Sequence, residues 1–388
     1  MALIATAAAG LEAVVAREVH ALGYPTTHTV VGGVRIDDAS VADIPRLNLN
    51  LRSADRVRLV VGSFQATTFD ALFEGTRALP WADLLPRDAV FPVDGRSVKS
   101  QLSSVPDCQA IVKRAVVEAL RGAYGPVERF PETGNLYRIE VALRENTAIL
   151  SLDTSGDGLH KRGYRAAAGG APLRETLAAA LVLLSYWHPD RPLVDLFCGS
   201  GTIPIEAALI GRNVAPGLRR RFAAEAWPAV GRSAWDAARQ EAMDRADWDR
   251  PLDIIGSDLD PKMVALATAN AATTGVASGL RFKQRRATDF HPRQDYGVIV
   301  SNPPYGERDG DFESVARLHH DLRRALAPYP TWSHYWLSGH PEFERTFGRT
   351  ADRRRKLYNA GIRCQYYQYY GPPPPRGVGP GASSGTMR

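Results

Sequence analysis

Cysteine is scarce in this chain. Cys108, Cys198 and Cys364 are its only three, and they lie far apart. No pair has the spacing of a zinc motif, and scattered thiols make no disulfide framework. A disulfide-stapled secreted scaffold is excluded, no metal is expected, and a reducing cytoplasm fits. Long hydrophobic runs are missing as well. Leu177 to Trp187 is apolar but too short to span a bilayer, and His188-Pro189 ends it. The apolar opening, Ala2 to Ala9, has no basic region before it. Glu12, Arg17 and Glu18 follow at once, so it reads as folded protein rather than as a signal peptide. No membrane association is expected.

What is present fits a multidomain globular protein. A length of 388 residues exceeds one typical domain, so two or three are expected. The net charge of +6 and a pI near 9.2 permit a polyanionic partner without requiring one. Arg219-Arg220-Arg221 and Arg353-Arg354-Arg355-Lys356 are either contacts to such a partner or solvated faces.

Hydrophobic periodicity divides the chain. Leu3 to Thr6 reads as a strand. Leu11, Val14, Val15, Val19 and Leu22 mark one helix face, ending at Gly23. Thr29 to Val31 and Val34 to Ile36 flank Gly32-Gly33 as a hairpin. Further strands are expected at Val57 to Phe64, Val90 to Val93, Tyr137 to Leu143 and Thr147 to Leu152. Helices are expected at Phe69 to Leu79 and Cys108 to Leu120. This first third is α+β with an antiparallel sheet. After a Gly-rich basic connector, strands and helices alternate: Leu193–Phe197, helix 202–211, Ile254–Ser257, helix 261–273, Leu280–Phe282, Val298–Ser301, helix 312–326 and Trp332–Leu337. Such alternation makes a parallel sheet wound with helices, an α/β domain. Lys356 to Tyr370 closes it as a hairpin, and the Pro/Gly tail, 371–388, is expected to be disordered.

The first of these later strands carries a glycine loop. Asp195-Leu196-Phe197-Cys198-Gly199-Ser200-Gly201-Thr202 runs from an apolar strand into a helix. Glycines let backbone approach a ligand, and a helix start offers free N–H groups. Asp258 ends the next strand, where a carboxylate can accept both hydroxyl protons of a ribose. About sixty residues separate it from Gly201, far beyond the ~20 of a compact dinucleotide fold. An insertion, Arg212 to Arg250, fills that gap, and Trp227, Trp235 and Trp248 within it are expected to pack against the sheet. Asp260 reads as the cap of the helix starting at Pro261. Asp289 either takes an adenine amino group or caps a turn.

About a hundred residues after the glycine loop comes Asn302-Pro303-Pro304-Tyr305, directly behind an apolar strand. An exocyclic amine on a base is a poor nucleophile, because its lone pair is delocalised into the ring. Two acceptors holding both N–H groups can aim that lone pair at an electrophile. The Asn302 side-chain oxygen and the Pro303 carbonyl are two such acceptors, and consecutive prolines make the turn rigid. Tyr305 can stack on a flipped-out base. Arg308 either contacts a phosphate or forms a surface salt bridge.

With these motifs in place the chain resembles the THUMP-domain class I RNA methyltransferases, in particular the bacterial guanine 2-amino methyltransferases of large-subunit (23S) rRNA. The likeness runs nearly to Tyr370. It is carried also by Gly10-Leu11-Glu12, Ser97 to Leu102, Val105 to Lys113, Leu159 to Arg165, Ala171 to Thr176 and Lys356 to Asn359. It implies a Rossmann-like class I methyltransferase sheet over 156–370. Ahead of it would lie a ferredoxin-like element, 1–50, and a THUMP RNA-binding domain, 51–155. It implies S-adenosyl-L-methionine as cofactor, held by Asp195, Phe197, Gly199, Gly201, Thr202, Asp258 and Asp289. Asn302, Pro303, Pro304 and Tyr305 match the catalytic tetrapeptide. RNA, as 23S rRNA or a large-subunit precursor, would be the partner. Lys99, Lys113 and Arg114 are its phosphate contacts or plain solvated charge. The fused second methyltransferase of some relatives is absent, so one modification is expected.

Three other readings remain open on sequence alone. The tetrapeptide serves adenine's 6-amino group equally well, on RNA or DNA. Methylation of a guanine ring nitrogen would make the clamp redundant. An rRNA-binding assembly factor would need no turnover. A nicotinamide dehydrogenase fits worst, because hydride transfer has no use for the tetrapeptide.

Overall fold

The computed structural model describes residues 2–165, 173–306 and 311–375. They form two units, each built on a seven-stranded sheet. The first unit comprises Met1–Ala7, Val15–Lys161 and Gly217–Asp244; the second comprises Ala8–Val14, Arg162–Pro216 and Arg245–Arg388.

The first unit opens with β1 (Ala2–Ala7), α1 (Glu12–Ala21) from Val15 onward, β2 (Thr27–Val30), β3 (Gly33–Ile36) and α2 (Ile44–Asn50). It continues with β4 (Ala54–Gln65), α3 (Phe69–Arg77), β5 (Val93–Val98), α4 (Val105–Tyr124), β6 (Ile139–Arg144) and β7 (Thr147–Asp153). Its strands lie in the order β2-β3-β1-β4-β7-β6-β5. Local chemistry sets the elements. Thr68 caps α3 by accepting from Ala71 N at 3.1 Å. In α4, Cys108, Val112, Ala115, Val116 and Leu120 are buried at helical spacing.

The antiparallel expectation holds for every pair but one: β5 runs parallel to β6. The strand expected at Val90 to Val93 is displaced. Val90 makes only an isolated bridge to Leu136, and the strand begins at Val93.

The second unit starts with α5 (Glu175–Leu184), β8 (Leu193–Asp195) and α6 (Thr202–Gly211). The chain then gives α7 (Arg232–Asp244) to the first unit. Back in the second unit come β9 (Ile254–Asp258), α8 (Pro261–Ala272), β10 (Leu280–Gln284), β11 (Val298–Ser301), α9 (Asp311–Leu326), β12 (Ser333–Ser338), α10 (Phe343–Phe347), β13 (Arg353–Asn359) and β14 (Ile362–Tyr369). The order is β10-β9-β8-β11-β12-β14-β13. The first five strands are parallel, and the closing hairpin adds two antiparallel ones. This is the wound α/β sheet expected from the alternation.

The insertion departs from expectation. Its tryptophans do not cover the parallel sheet. Trp227 stacks on Tyr137 with ring centroids 4.6 Å apart and donates Nε1–H to the Leu136 carbonyl at 2.9 Å. Trp235 stacks on Phe222 at 5.2 Å. Both tryptophans sit in the core of the first unit. Trp248, in the second unit, is exposed. An apolar surface is satisfied by whichever core is short of side chains, and sequence order does not say which.

Candidate active site

All five parallel strands end on one edge of the second sheet. The order reverses between β8 and β11, the switch point at which open α/β sheets bind ligands. The loops that leave this edge carry most of the residues singled out by sequence.

The loop from β8 to α6 depends on its glycines. Gly199 and Gly201 have φ of +50° and +84°, the left-handed region that side chains avoid. At Gly201 a Cβ would also lie 2.9 Å from the Ala267 Cβ and 3.1 Å from Phe282 Cζ. Gly199 differs, since a Cβ there would meet nothing within 4 Å. That open space is what a nucleoside laid against the loop needs. Gly199 N donates to Asp258 Oδ2 at 2.9 Å, tying the loop to the end of β9. The other Asp258 oxygen accepts from Asp260 N at 3.0 Å. Asp260 itself caps α8, accepting from Lys262 N at 2.8 Å. Thr202 opens α6, and its hydroxyl accepts from Arg165 Nη2 at 3.1 Å. These donors and acceptors suit the hydroxyls and amino groups of S-adenosylmethionine.

Asp195 is buried. Its Oδ1 accepts from Phe197 N at 3.1 Å and from the Ser301 hydroxyl, whose oxygen accepts in turn from Leu196 N at 2.8 Å. Burial pushes the Asp195 carboxyl up to about 7, against the pull of Ser301 and the Phe197 amide; the Asp258 charge adds to the rise. Asp195 and Ser301 thus lock the glycine loop onto β11.

A consequence follows for stability. A carboxyl raised from 3.8 to about 7 on folding favours the folded state at low pH, and that contribution is lost as pH climbs to about 7. Asp195→Asn keeps an acceptor but cannot ionise. Between about pH 4 and pH 8 wild type is expected to lose on the order of 4 kcal/mol relative to this variant. Urea unfolding at both pH values measures it, and parallel profiles would refute the assignment.

β11 is buried along its whole length and delivers Asn302 to the same edge. The side chain of Asn302 is half-buried, Pro303 is buried and Pro304 exposed. The Tyr305 hydroxyl donates to Asn302 Oδ1, and Asn359 Nδ2, at the end of β13, donates to the Tyr305 oxygen at 3.4 Å. The Tyr305 ring lies close to Gly339, where a Cβ would come within 3.0 Å of Tyr305 Cδ2. The ring expected to stack on a base is therefore hydrogen-bonded to its own clamp. Asn302 Oδ1 retains a second lone pair for an incoming amine.

Asp289 ends the single 3-10 turn after β10, with an exposed side chain. Cys198 lies within the loop, but burial raises its thiol pKa, and the Asp195 and Asp258 charges add to this, so it is no nucleophile.

The basic residues chosen for RNA contact are used unequally. Lys99 is exposed in the turn after β5. Lys113 is engaged within the first unit: Nζ pairs with Glu132 at 2.9 Å, donates to the Phe91 carbonyl at 3.1 Å and lies 3.5 Å from the Phe91 ring centroid. It is not a free phosphate contact. Arg114 is exposed, with its guanidinium 4.8 Å from the Phe73 ring. Arg308, Ala171 and Pro172 lie outside the described residues. Ser301 and Asn359 were not singled out by sequence. A hydroxyl ending an otherwise apolar strand was the available signal for Ser301; Asn359 stood only in the closing hairpin, with no site role given to it.

Among the described residues no group of His, Cys, Asp or Glu could hold a metal ion. All three cysteines are free and buried. No helix among them is long and apolar enough to cross a membrane.

Comparison with known proteins agrees with this geometry. Residues 162–368 match the RMKL-like methyltransferase domain, residues 2–58 the RlmL ferredoxin-like domain and residues 66–153 the THUMP domain. YpsC of Bacillus subtilis (strain 168), named as a candidate RNA methyltransferase, is 50% identical over 369 residues, 95% of each chain. The ribosomal RNA large subunit methyltransferase K/L of Cellvibrio japonicus (strain Ueda107) is 33% identical over 376 residues, 93% of this chain. This chain spans only 50% of that relative's length. A crystal structure from Listeria monocytogenes str. 4b F2365, named as a predicted N6-adenine-specific DNA methylase, matches with a TM-score of 0.91. It is 51% identical over 96% of both chains. SMU.472, named as a candidate methyltransferase and crystallised with SAH, matches with a TM-score of 0.90 at 44% identity, over 96% of this chain and 99% of its own. A wound sheet with a glycine loop, an Asn-Pro-Pro-Tyr turn at its edge and these matches along nearly the whole chain have one reading: the chain belongs to the RMKL-like methyltransferase family, with RlmL-type ferredoxin-like and THUMP domains ahead of the methyltransferase domain.

Proposed function

We propose that this chain methylates the exocyclic 2-amino group of a guanine in RNA, with large-subunit rRNA or its precursor as substrate. The carrying observation is Asn302-Pro303 at the end of β11, beside the β8–α6 loop that Ser301 ties to the same strand. Asn302 Oδ1 and the Pro303 carbonyl accept the two N–H groups of the amine and turn its lone pair outward. Tyr305 gives up its bond to Asn302 and stacks on the base. Gly199, Gly201 and Thr202 hold the cofactor from the loop, Asp258 takes its ribose hydroxyls, and Asp289 accepts from its adenine. Asp195 and Phe197 fix the loop's shape. The cofactor is S-adenosylmethionine, which supplies an electrophilic methyl group; a close structural relative was crystallised with SAH.

RNA as substrate is supported by the THUMP match and by the names of two relatives. We divide the chain at 1–50, 51–155 and 156–370 by function, and assign the reaction to the cytoplasm. The name of the Listeria relative favours a second reading, methylation of adenine N6.

Purified protein, S-adenosylmethionine and unmodified large-subunit rRNA transcript, followed by nucleoside mass spectrometry, decide between them. N2-methylguanosine is the expected product. N6-methyladenosine would install the second reading, and no methylated nucleoside from rRNA, tRNA or DNA would end both.

A further inference from the structure

Three of the four parallel connections in the second sheet pass through an α-helix: α6 after β8, α8 after β9 and α9 after β11. The link from β10 to β11 has only the 3-10 turn Ala287–Asp289. One face of the sheet beside β10 is consequently left open, and a cavity of about 640 Å³ lies on it. Val194, Ile255 and Trp332 give it an apolar floor. Phe282 lies against Gly201 and Gly256 on the opposite face. Strand alternation then turns Arg281 and Lys283 to the cavity, and Arg285 and Arg293 join its lining.

The charge is strongly one-sided. Asp253 is the only carboxylate among the lining residues, and it pairs with Arg281. Lys283, Arg285 and Arg293 have no hydrogen-bonding or ion-pair partner for their side chains among the described residues. Lys283 lies on the edge strand β10, Arg285 just past its end and Arg293 in the link to β11. The cavity also reaches Leu196 and Ser257, the neighbours of Asp195 and Asp258. It therefore adjoins the edge that bears the candidate active site. Cations spaced along a groove with an apolar floor suit a nucleic-acid strand, with phosphates on the cations and a base on the floor.

We infer that this open sheet face binds the RNA strand flanking the target nucleotide, with its phosphates on Lys283, Arg285 and Arg293. The inference rests on the RNA methyl-transfer reading. The test is the triple variant Lys283→Gln, Arg285→Gln, Arg293→Gln. Its affinity for a fluorescent large-subunit rRNA transcript is measured by anisotropy across a salt series, with S-adenosylhomocysteine affinity by calorimetry as a control for folding. RNA affinity is expected to fall about tenfold or more, and the slope of log K against log salt to shrink by about 2 to 3, as for three lost phosphate contacts. Cofactor affinity stays unchanged. A charge-preserving variant, Lys283→Arg with Arg285→Lys and Arg293→Lys, restores the slope. If wild type methylates RNA and the Gln variant binds it with the same affinity and slope, the cleft is refuted while the function stands. If the variant instead changes oligomeric state in sedimentation with RNA binding intact, the face belongs to a second copy and the inference is overturned. If wild type neither binds nor methylates RNA, the functional reading fails and takes the cleft with it.

Discussion

Asn302→Ala is expected to lower methyl transfer to RNA on the order of a thousandfold while cofactor affinity stays within about twofold. The substitution removes the amide oxygen assigned to the amine and leaves β11, Pro303 and the glycine loop in place. The loss should therefore appear in kcat, because orienting the lone pair matters only when the bond forms. Tyr305→Phe separates the clamp from its present partner. It deletes the hydroxyl that donates to Asn302 and keeps the ring. If stacking is the role of Tyr305, this variant keeps its rate within a fewfold, whereas Tyr305→Ala does not. Single-turnover kinetics on the rRNA transcript read all three. An Asn302→Ala enzyme with wild-type turnover would leave the amine clamp without support.

The second large effect is expected at Asp258. Its carboxylate accepts from Gly199 N and Asp260 N, holding together the glycine loop and the start of α8. With the ribose hydroxyls added, Asp258→Ala removes several charge-assisted hydrogen bonds, and cofactor affinity is expected to fall on the order of a hundred- to a thousandfold. Calorimetry with S-adenosylhomocysteine measures this directly, and near-normal turnover at saturating cofactor would accompany it. Wild-type affinity in Asp258→Ala would remove the ribose role and leave only a loop anchor.

Much of this was legible because the second unit follows simple periodic rules. Val298–Val300 is an apolar run that Ser301 closes and Asn-Pro-Pro stops, and α6 spans the residues expected of it, with glycine before it and a mostly apolar sequence through it. The first unit is less regular. α2 has a proline near its start and three polar residues out of seven, so it gave no periodic signal. The edge strand β5, Val-Asp-Gly-Arg-Ser-Val, is held by its parallel partner and by α4 across Gly95, which sequence-local rules do not register. The site divided in the same way. Most residues that would touch a ligand stand in the glycine loop or the tetrapeptide, while Asp258 ends β9 and Asp289 ends the 3-10 turn after β10. Ser301 and Asn359 act on other side chains, from strands distant in sequence, and so stayed silent. Lys113 shows the converse, because a charge on an amphipathic helix cannot announce that a glutamate nineteen residues on will pair with it.

The loan of Gly217–Asp244 to the first unit bears on how the protein is made. Phe222, Trp227 and Trp235, with Ala224, Val230 and Ala238, belong to a core whose remaining buried residues lie before Lys161. During translation the amino-terminal sheet thus waits, with part of its interior unfilled, for some eighty residues of the next domain to be added. At ~5–20 residues per second that is an interval of about 4 to 16 s. Over it the nascent chain exposes the apolar surface that Trp227 and Trp235 later cover, a target for chaperones. A stop codon after Lys161 would release an amino-terminal fragment that holds every strand of its sheet and yet cannot complete its core.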